Sequence, residues 1–236
     1  MSAERRLIAT AVFGKHPGFG DFLAAGELPA EGVSRIMDWL AQVLGAWREA
    51  AGPDWQAGFD RAPGLRFWIG AGLTGGTALR GALIPSRDRS GRRFPLVVAQ
   101  ATGGGAPVVD ADQDFYTQAD AELRALAQVD RFDPREVAGA FASQLPIPVD
   151  DGVVPGASFW ATNATRAPRE FLAELAATDY AHAQAGRSYW WFAADEQTGQ
   201  QSGLMACAGW PGQHEMGWLL AGGRVKSAAA ADEAQA

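Results

Sequence analysis

GALIPSRDRSGRRFPLVV, residues 81–98, places a charged turn between two apolar runs. Pro85 cannot donate a backbone hydrogen bond and so ends the first run, while Gly91 allows the positive φ of a tight turn. The pattern predicts a strand, a rigid loop and a second strand, and loops of this kind often carry function. The charged residues of this exposed loop are Arg87, Asp88, Arg89, Arg92 and Arg93.

A second loop of similar build lies near the start of the chain. Residues 14–22, GKHPGFGDF, are rich in glycine and proline and follow an apolar run over residues 7–13. Asp21 has two open roles, since it could cap the following turn or pair with the arginine loop. If the two loops lie side by side, they form one mixed-charge surface suited to a protein partner, because arginine donates in a bidentate manner. That surface would contain Lys15, Asp21, Arg89 and Arg92.

The two loop motifs together resemble the TagF/ImpM family of type VI secretion-associated proteins, whose hallmark blocks have the forms GKLPxxGDF and GxLxPSxDRxGRxFPL. Most of residues 8–222 takes part in the resemblance. His16 departs from it, because the family usually carries an apolar residue there. Further likenesses are Asp38, Trp39 and Leu40, then Phe67 and Trp68, and an SxWW element at Ser188, Trp190 and Trp191.

This resemblance implies a three-layer α/β/α sandwich and a non-enzymatic regulator that represses type VI secretion post-translationally. The implied partner is a forkhead-associated scaffold protein of the secretion apparatus, and a separate phosphatase of the PppA type is a second candidate partner. Substitution of Asp21, Arg89 or Arg92 is expected to release repression without unfolding. The residues expected to contact the partner are Lys15, Asp21, Arg87, Asp88, Arg89 and Arg92. The alternatives are a structural or assembly subunit of the secretion machine and a nucleotide-binding enzyme that uses residues 70–76.

Composition restricts the remaining function classes. The net charge of −7 argues against a general nucleic-acid binder, which needs lysine and arginine concentrated on one face. No apolar run approaches the roughly 20 residues of a membrane-spanning helix. A single cysteine, Cys207, fits a reducing compartment and thus the cytoplasm. We expect one compact domain over residues 1–222 and a disordered alanine-rich tail over residues 223–236.

Hydrophobic periodicity predicts an α/β fold, with a mixed β-sheet flanked by helices on both faces. Asp133, Pro134 and Glu136 give a clear helix start with a capping-box spacing. Helices are predicted over residues 33–48, 113–129, 133–145 and 168–177. Strands are predicted over residues 7–13, 65–69, 77–84, 94–102, 158–162, 188–194, 203–208 and 216–220.

No assembled catalytic set is visible in the sequence, and no cofactor or metal is predicted. Gly70, Gly72 and Gly75 formally spell GxGxxG, but the following residues 77–84 have β character, so no helix is expected to open there. The three histidines are scattered, without a ligand-like spacing. Cys207 lies in an apolar run that would raise its thiol pKa.

Overall fold

The computed structural model describes residues 8–103, 105–148, 180 and 183–224, and within them seven strands form one sheet. The strand order is β2-β1-β5-β4-β3-β6-β7, and every neighbouring pair is antiparallel. The strands are β1 (Thr10–Gly14), β2 (Leu23–Gly26), β3 (Leu65–Ile69), β4 (Leu79–Ile84), β5 (Leu96–Ala101), β6 (Arg187–Phe192) and β7 (Gly203–Ala208).

Helices cover both faces of this sheet, which confirms the predicted three-layer α/β/α class. Helices α1 and α6 pack on one face, whereas α4 and α5 pack on the other. The helices of the described residues are α1 (Ala30–Ala51), α2 (Trp55–Asp60), α3 (Ala71–Thr74), α4 (Asp114–Leu126), α5 (Pro134–Gln144) and α6 (Gln213–Leu220), with a 3₁₀ turn (Gly52–Asp54) between α1 and α2.

Alternating side chains of each strand supply the two cores, because successive residues of a strand point to opposite faces. Trp190 is fully buried on the α1 side, where its ring centroid lies 4.7 Å from that of Trp39. The next residue, Trp191, packs on the α4 side, 4.6 Å from Tyr116. The five inner strands therefore read as largely apolar runs, since both of their faces are covered.

A buried arginine links the sheet to the segment after α5. Arg80 stacks its guanidinium on the ring of Phe115 at 3.8 Å and donates to Gln100 Oε1 at 2.8 Å. The same nitrogen, Nη2, donates to the carbonyl of Pro146. These contacts hold a cation in an apolar layer, because its polar hydrogens find acceptors there.

The predicted sheet was mixed, and the observed pairing corrects this detail, since the described strands pair only antiparallel. Continuous apolar strands are typical of parallel sheets covered on both faces. Here short connections join β1 to β2, β4 to β5 and β6 to β7, and such connections favour antiparallel neighbours because a parallel pair needs a long crossover.

Element assignments from the sequence were mostly confirmed, with one wrong strand and three short elements that were missed, β2, α2 and α3. The predicted strand over residues 216–220 was wrong, since α6 occupies it and buries Met216, Leu219 and Leu220 at helical spacing. A five-residue apolar run fits a strand or a helix equally well. The short strand β2 was not predicted. The predicted strand over 158–162 and helix over 168–177 lie outside the described residues.

Gly81 stands in β4 where no larger residue fits. A Cβ there would lie 2.2 Å from the carbonyl oxygen of Val98 and 2.3 Å from the ring of Phe67. We expect Gly81→Ala to lower the free energy of unfolding by at least about 2 kcal/mol, because both neighbours belong to packed elements. Urea unfolding followed by circular dichroism measures this change.

Gly139 provides the matched control, because it lies exposed in α5 and an added Cβ there would meet open space. Gly139→Ala should raise the free energy of unfolding by about 0.5–1 kcal/mol through helix propensity alone. Equal unfolding midpoints for Gly81→Ala and the unmodified protein would contradict the packing argument.

Candidate functional site: the paired motif loops

Two connections at one end of the sheet form the candidate site. Loop 1 comprises residues 15–22 between β1 and β2, and loop 2 comprises residues 85–95 between β4 and β5. Strands β1 and β5 are direct neighbours, so the end of β1 lies beside the start of β5. The two loops therefore leave the sheet together, and the Arg89 backbone N–H donates to the carbonyl of Phe19 at 2.8 Å.

The carboxylate of Asp88 is the centre of this arrangement. Its side chain is fully enclosed, although it carries charge. Oδ1 accepts hydrogen bonds from the backbone N–H and the hydroxyl of Ser90, at 2.9 and 2.7 Å, and from the backbone N–H of Arg92 at 3.0 Å. Oδ2 accepts from Arg92 Nε at 2.7 Å and from the ammonium of Lys15. Asp88 thus closes loop 2 on itself and ties it to loop 1.

These donors also determine the ionisation of Asp88. Burial by itself would raise the pKa of the carboxyl group, but the hydrogen bonds from Lys15, Ser90 and Arg92 outweigh it and hold the pKa well below its usual range. Asp88 is therefore a carboxylate in the folded protein, with positive charge on both loops oriented toward it.

Two arginines of loop 2 reach across to backbone carbonyls of loop 1. Arg89 donates through Nη2 to the carbonyl of Gly18, and Arg92 donates through Nη2 to that of Gly20 at 2.6 Å. Both arginines are exposed at the surface. Their guanidinium groups are thus fixed in place by the protein while part of each remains open to solvent.

His16 anchors loop 1 from below and is fully buried. Its Nδ1 accepts the backbone N–H of Gly18 at 3.0 Å, so Nε2 carries the hydrogen and donates to the carbonyl of Leu126 at 2.8 Å. The ring also packs edge-on against Phe132 and Phe19. The polar ring is accommodated at this buried position because both of its nitrogens find partners.

The outer part of loop 1 is open. Asp21 is exposed and makes no hydrogen bond or ion pair with any residue that the structure describes. Neither role left open for it, capping the next turn or pairing with the arginine loop, is present in this structure. Phe22 beside it is 38% exposed and packs its ring edge against Phe94 at 5.3 Å. An acidic and an aromatic side chain thus stand next to the arginines.

Loop 2 has a third ion pair, between Arg93 and Asp60, on its other side. Arg93 binds both oxygens of Asp60, at 2.8 and 2.7 Å, and lies 5.8 Å from the ring centroid of Trp55. The pair lowers the pKa of Asp60. Arg87 is exposed and its backbone forms an isolated β-bridge with Arg93. This bridge places Arg87 at the start of the turn that Asp88 closes.

The structure thus brings together Lys15, Asp88, Arg89 and Arg92 from the predicted set, and places Asp21 and Arg87 at its margins. Sequence reasoning missed Ser90, which donates twice to Asp88, and His16 as the anchor of loop 1. A serine two residues after an aspartate in a turn was the signal for the first. Nothing in the sequence indicated the long-range partner of His16, which is the carbonyl of Leu126.

The glycines of the GxGxxG pattern have packing roles. A Cβ on Gly70 would lie 2.3 Å from the carbonyl oxygen of Gln184, and one on Gly72 would lie 2.9 Å from that of Ala185. Gly75 ends α3 with φ of 87°. Contrary to expectation, a helix does open after Gly70, but α3 is a single turn of four residues and β4 follows it.

The remaining chemical features concern metal ligands, the cysteine and membrane spanning. No group of three metal-ligating side chains occurs among the residues that the structure describes. Burial raises the pKa of the Cys207 thiol, as predicted, and Glu215 adds to the effect while Arg187 opposes it. No helix within the described ranges is long and apolar enough to cross a membrane.

The fold and these loops define an α/β/α domain that presents two joined motif loops at one end of its sheet. The chain belongs to the TagF family, because the model of the TagF N-terminal domain, described as type VI secretion system-associated, matches residues 11–138. Both motif loops lie within the matched range. A search of curated proteins finds no match.

A solved structure is also similar, that of PA0076 from Pseudomonas aeruginosa PAO1. It shares 29% sequence identity with this chain and superimposes with a TM-score of 0.66. The match covers 92% of this chain and 96% of PA0076, so the similarity extends well beyond the N-terminal family model.

Asp88 should make stability depend on pH. Its pKa is lower in the folded chain than in the unfolded one, so the carboxylate stabilises the fold above about pH 4 and the effect fades as pH falls below that value. We expect Asp88→Asn to lower the free energy of unfolding by about 3 kcal/mol at pH 7. The difference from the unmodified protein should narrow toward pH 2, as measured by urea unfolding across the pH range.

Asp60→Asn is the matched control, because it also removes an aspartate bound to an arginine of loop 2, but at a more exposed position. Asp60→Asn should lower the free energy of unfolding at pH 7 by less than about 1 kcal/mol. Asp88→Asn and Asp60→Asn with equal effects at pH 7 would refute the central role given to Asp88.

Proposed function

We propose that this chain is a cytoplasmic regulator that represses type VI secretion post-translationally by contact with a forkhead-associated scaffold protein of the apparatus. The family supports the link to type VI secretion. The observation that carries the proposal is the joining of the two motif loops by Arg89 and Arg92, which remain exposed while their positions are fixed.

The surface has the chemistry of a protein-binding site. Arginine and aromatic residues are enriched where proteins bind one another. The exposed Phe22 lies two residues after Gly20, whose carbonyl accepts a hydrogen bond from Arg92. Arg87 and Asp21 extend the surface at its two margins. Side chains already held by the protein lose little freedom on binding, so the fixed guanidinium groups favour a specific contact.

The six proposed residues have different parts in this contact. Arg87, Arg89, Arg92 and Asp21 are exposed and would touch the partner. Asp88 is enclosed, so it acts as a positioning residue together with Lys15, which it binds. A separate PppA-type phosphatase remains a further proposed partner, acting in parallel with this contact.

A pull-down with the purified forkhead-associated scaffold tests the proposal. The unmodified protein should capture the scaffold, and Arg89→Ala or Asp21→Ala should weaken capture by about tenfold or more. Both variants should unfold at the same urea concentration as the unmodified protein. Arg92→Ala is less suitable, because Arg92 also neutralises the enclosed Asp88 and its loss lowers stability.

Arg35→Ala is the matched control, since Arg35 is an exposed arginine on α1 whose partner is Glu31 of the same helix. It should capture the scaffold normally. Secretion of a type VI effector by the host is the second readout. Overexpression of the unmodified protein should reduce this secretion, whereas overexpression of Arg89→Ala should not. Loss of secretion on deleting the gene would instead indicate a structural subunit, and no capture by the unmodified protein would remove the scaffold contact.

A further inference from the structure

The edge strand β7 presents a row of backbone hydrogen-bonding groups that the described part of the chain does not use. The Gly209 N–H donates to the carbonyl of Gly186, and in this register residues 203, 205 and 207 face β6. The N–H and C=O groups of Leu204, Ala206 and Ala208 therefore point away from the sheet. No described residue binds them.

This edge lacks the devices by which proteins usually block strand addition. Its sequence, GLMACA, contains no proline and no charged residue, and the strand pairs regularly with β6 over six residues. Such an edge readily accepts another strand. The opposite edge, β2, is shorter, with four residues.

An apolar groove lies alongside β7 on the α4 face of the sheet. It encloses about 440 Å³. Leu204 and Val108 on its walls are 59% and 55% exposed, which is unusual for apolar side chains of this size. The apolar lining includes Pro107, Val108, Ala111, Trp191, Phe192 and Leu204.

We propose that β7 and this groove bind an extended, basic segment of a partner protein, which adds an eighth strand to the sheet. Backbone hydrogen bonds to Leu204, Ala206 and Ala208 would supply affinity. An apolar side chain of the segment would enter the groove and supply selectivity, since alternate residues of an added strand face the same side. The proposal is independent of the motif loops.

Charge around the edge identifies the occupant as basic. Asp195 and Glu196 lie in the turn between β6 and β7. Glu215 lies close enough to Cys207 to raise its thiol pKa, and Arg187 at the same end of β7 opposes that effect. The surplus of negative charge therefore lies at the 195–196 end of the edge. Lysine or arginine next to the apolar anchor of the partner would complement these carboxylates.

The same carboxylates disfavour a second copy of this chain. Antiparallel pairing of two β7 strands brings the 195–196 turn of one copy toward the Glu215 end of the other. Glu215 would then face Asp195 and Glu196, with Arg187 at the same end of β7 as Glu215. Each copy also carries a net charge of −7, so the two copies repel each other overall. A basic segment of another protein meets no such repulsion.

Amide hydrogen exchange, measured by NMR on the full chain as a monomer, tests the free edge. The outward amides of Leu204, Ala206 and Ala208 should exchange at least about 100-fold faster than those of Met205 and Cys207, which face β6. The inward-facing amides of the same strand serve as the internal control for the outward-facing ones. Protection of the outward amides in the monomer would mean that the chain covers its own edge. Protection that appears only on dimerisation would mean that a second copy of the chain occupies the edge. Either result overturns the proposal.

The probe for binding is a fluorescein-labelled, acetylated peptide of alternating lysine and valine, seven residues long. In low salt it should bind at least about tenfold more tightly than the glutamate–valine counterpart, and it should slow exchange of the three outward amides. Ala206→Pro should weaken binding by about tenfold, because it removes an outward N–H that the sheet itself does not use. Ala206→Thr keeps the N–H and should bind normally.

Val108→Asn tests the groove separately and should also weaken binding of the lysine–valine peptide, since it places a polar group on an apolar wall without adding a charge. Equal binding of the two peptides would overturn the basic specificity. If Ala206→Pro binds the lysine–valine peptide as tightly as the unmodified protein, strand addition is overturned. Because this variant alters an edge residue, slow amide exchange at Met205 and Cys207 serves to check that it is still folded.

Discussion

The enclosed carboxylate of Asp88 is the interaction on which the rest of the motif region depends. Removing a charge from water is costly unless donors replace the lost solvent. Here the donors come from Ser90, Arg92 and Lys15, and they fit only if loop 2 turns back on itself at Gly91, where φ is 84°. The same turn also directs the arginines toward loop 1. The residues of the loop motif therefore depend on one another, because each of them helps to satisfy the same buried carboxylate.

The sheet order explains how such a site can exist at all. Loops 1 and 2 belong to different hairpins, and they meet only because β1 pairs with β5 inside the sheet. Helices on both faces bury these central strands, so the ends of β1 and β5 have little freedom to move apart. The packed core therefore fixes the positions at which the two loops begin and end, as rigid scaffolds commonly do for functional loops.

Local patterns predicted much of the fold and the members of the site, whereas tertiary contacts decided the rest. The strand over residues 65–69 was predicted with its observed bounds. By contrast, β2 has the sequence LAAG, whose small residues have little β propensity, and it is a strand because it pairs with β1. Both charged turns were visible, but the burial of Asp88 depends on Lys15 from another part of the chain. Pairing with the arginine loop was one of two roles left open for Asp21, yet it stands free of the described residues.

The distance along the chain between the two loops also has a consequence for timing. Lys15 and Asp88 are 73 residues apart, so their contact belongs to the slow, non-local class of folding events. A growing chain on the ribosome has already made loop 1 long before it has made loop 2, and the joint surface is absent until β5 closes the middle of the sheet. Any partner that requires both loops therefore distinguishes the finished domain from its unfinished precursors.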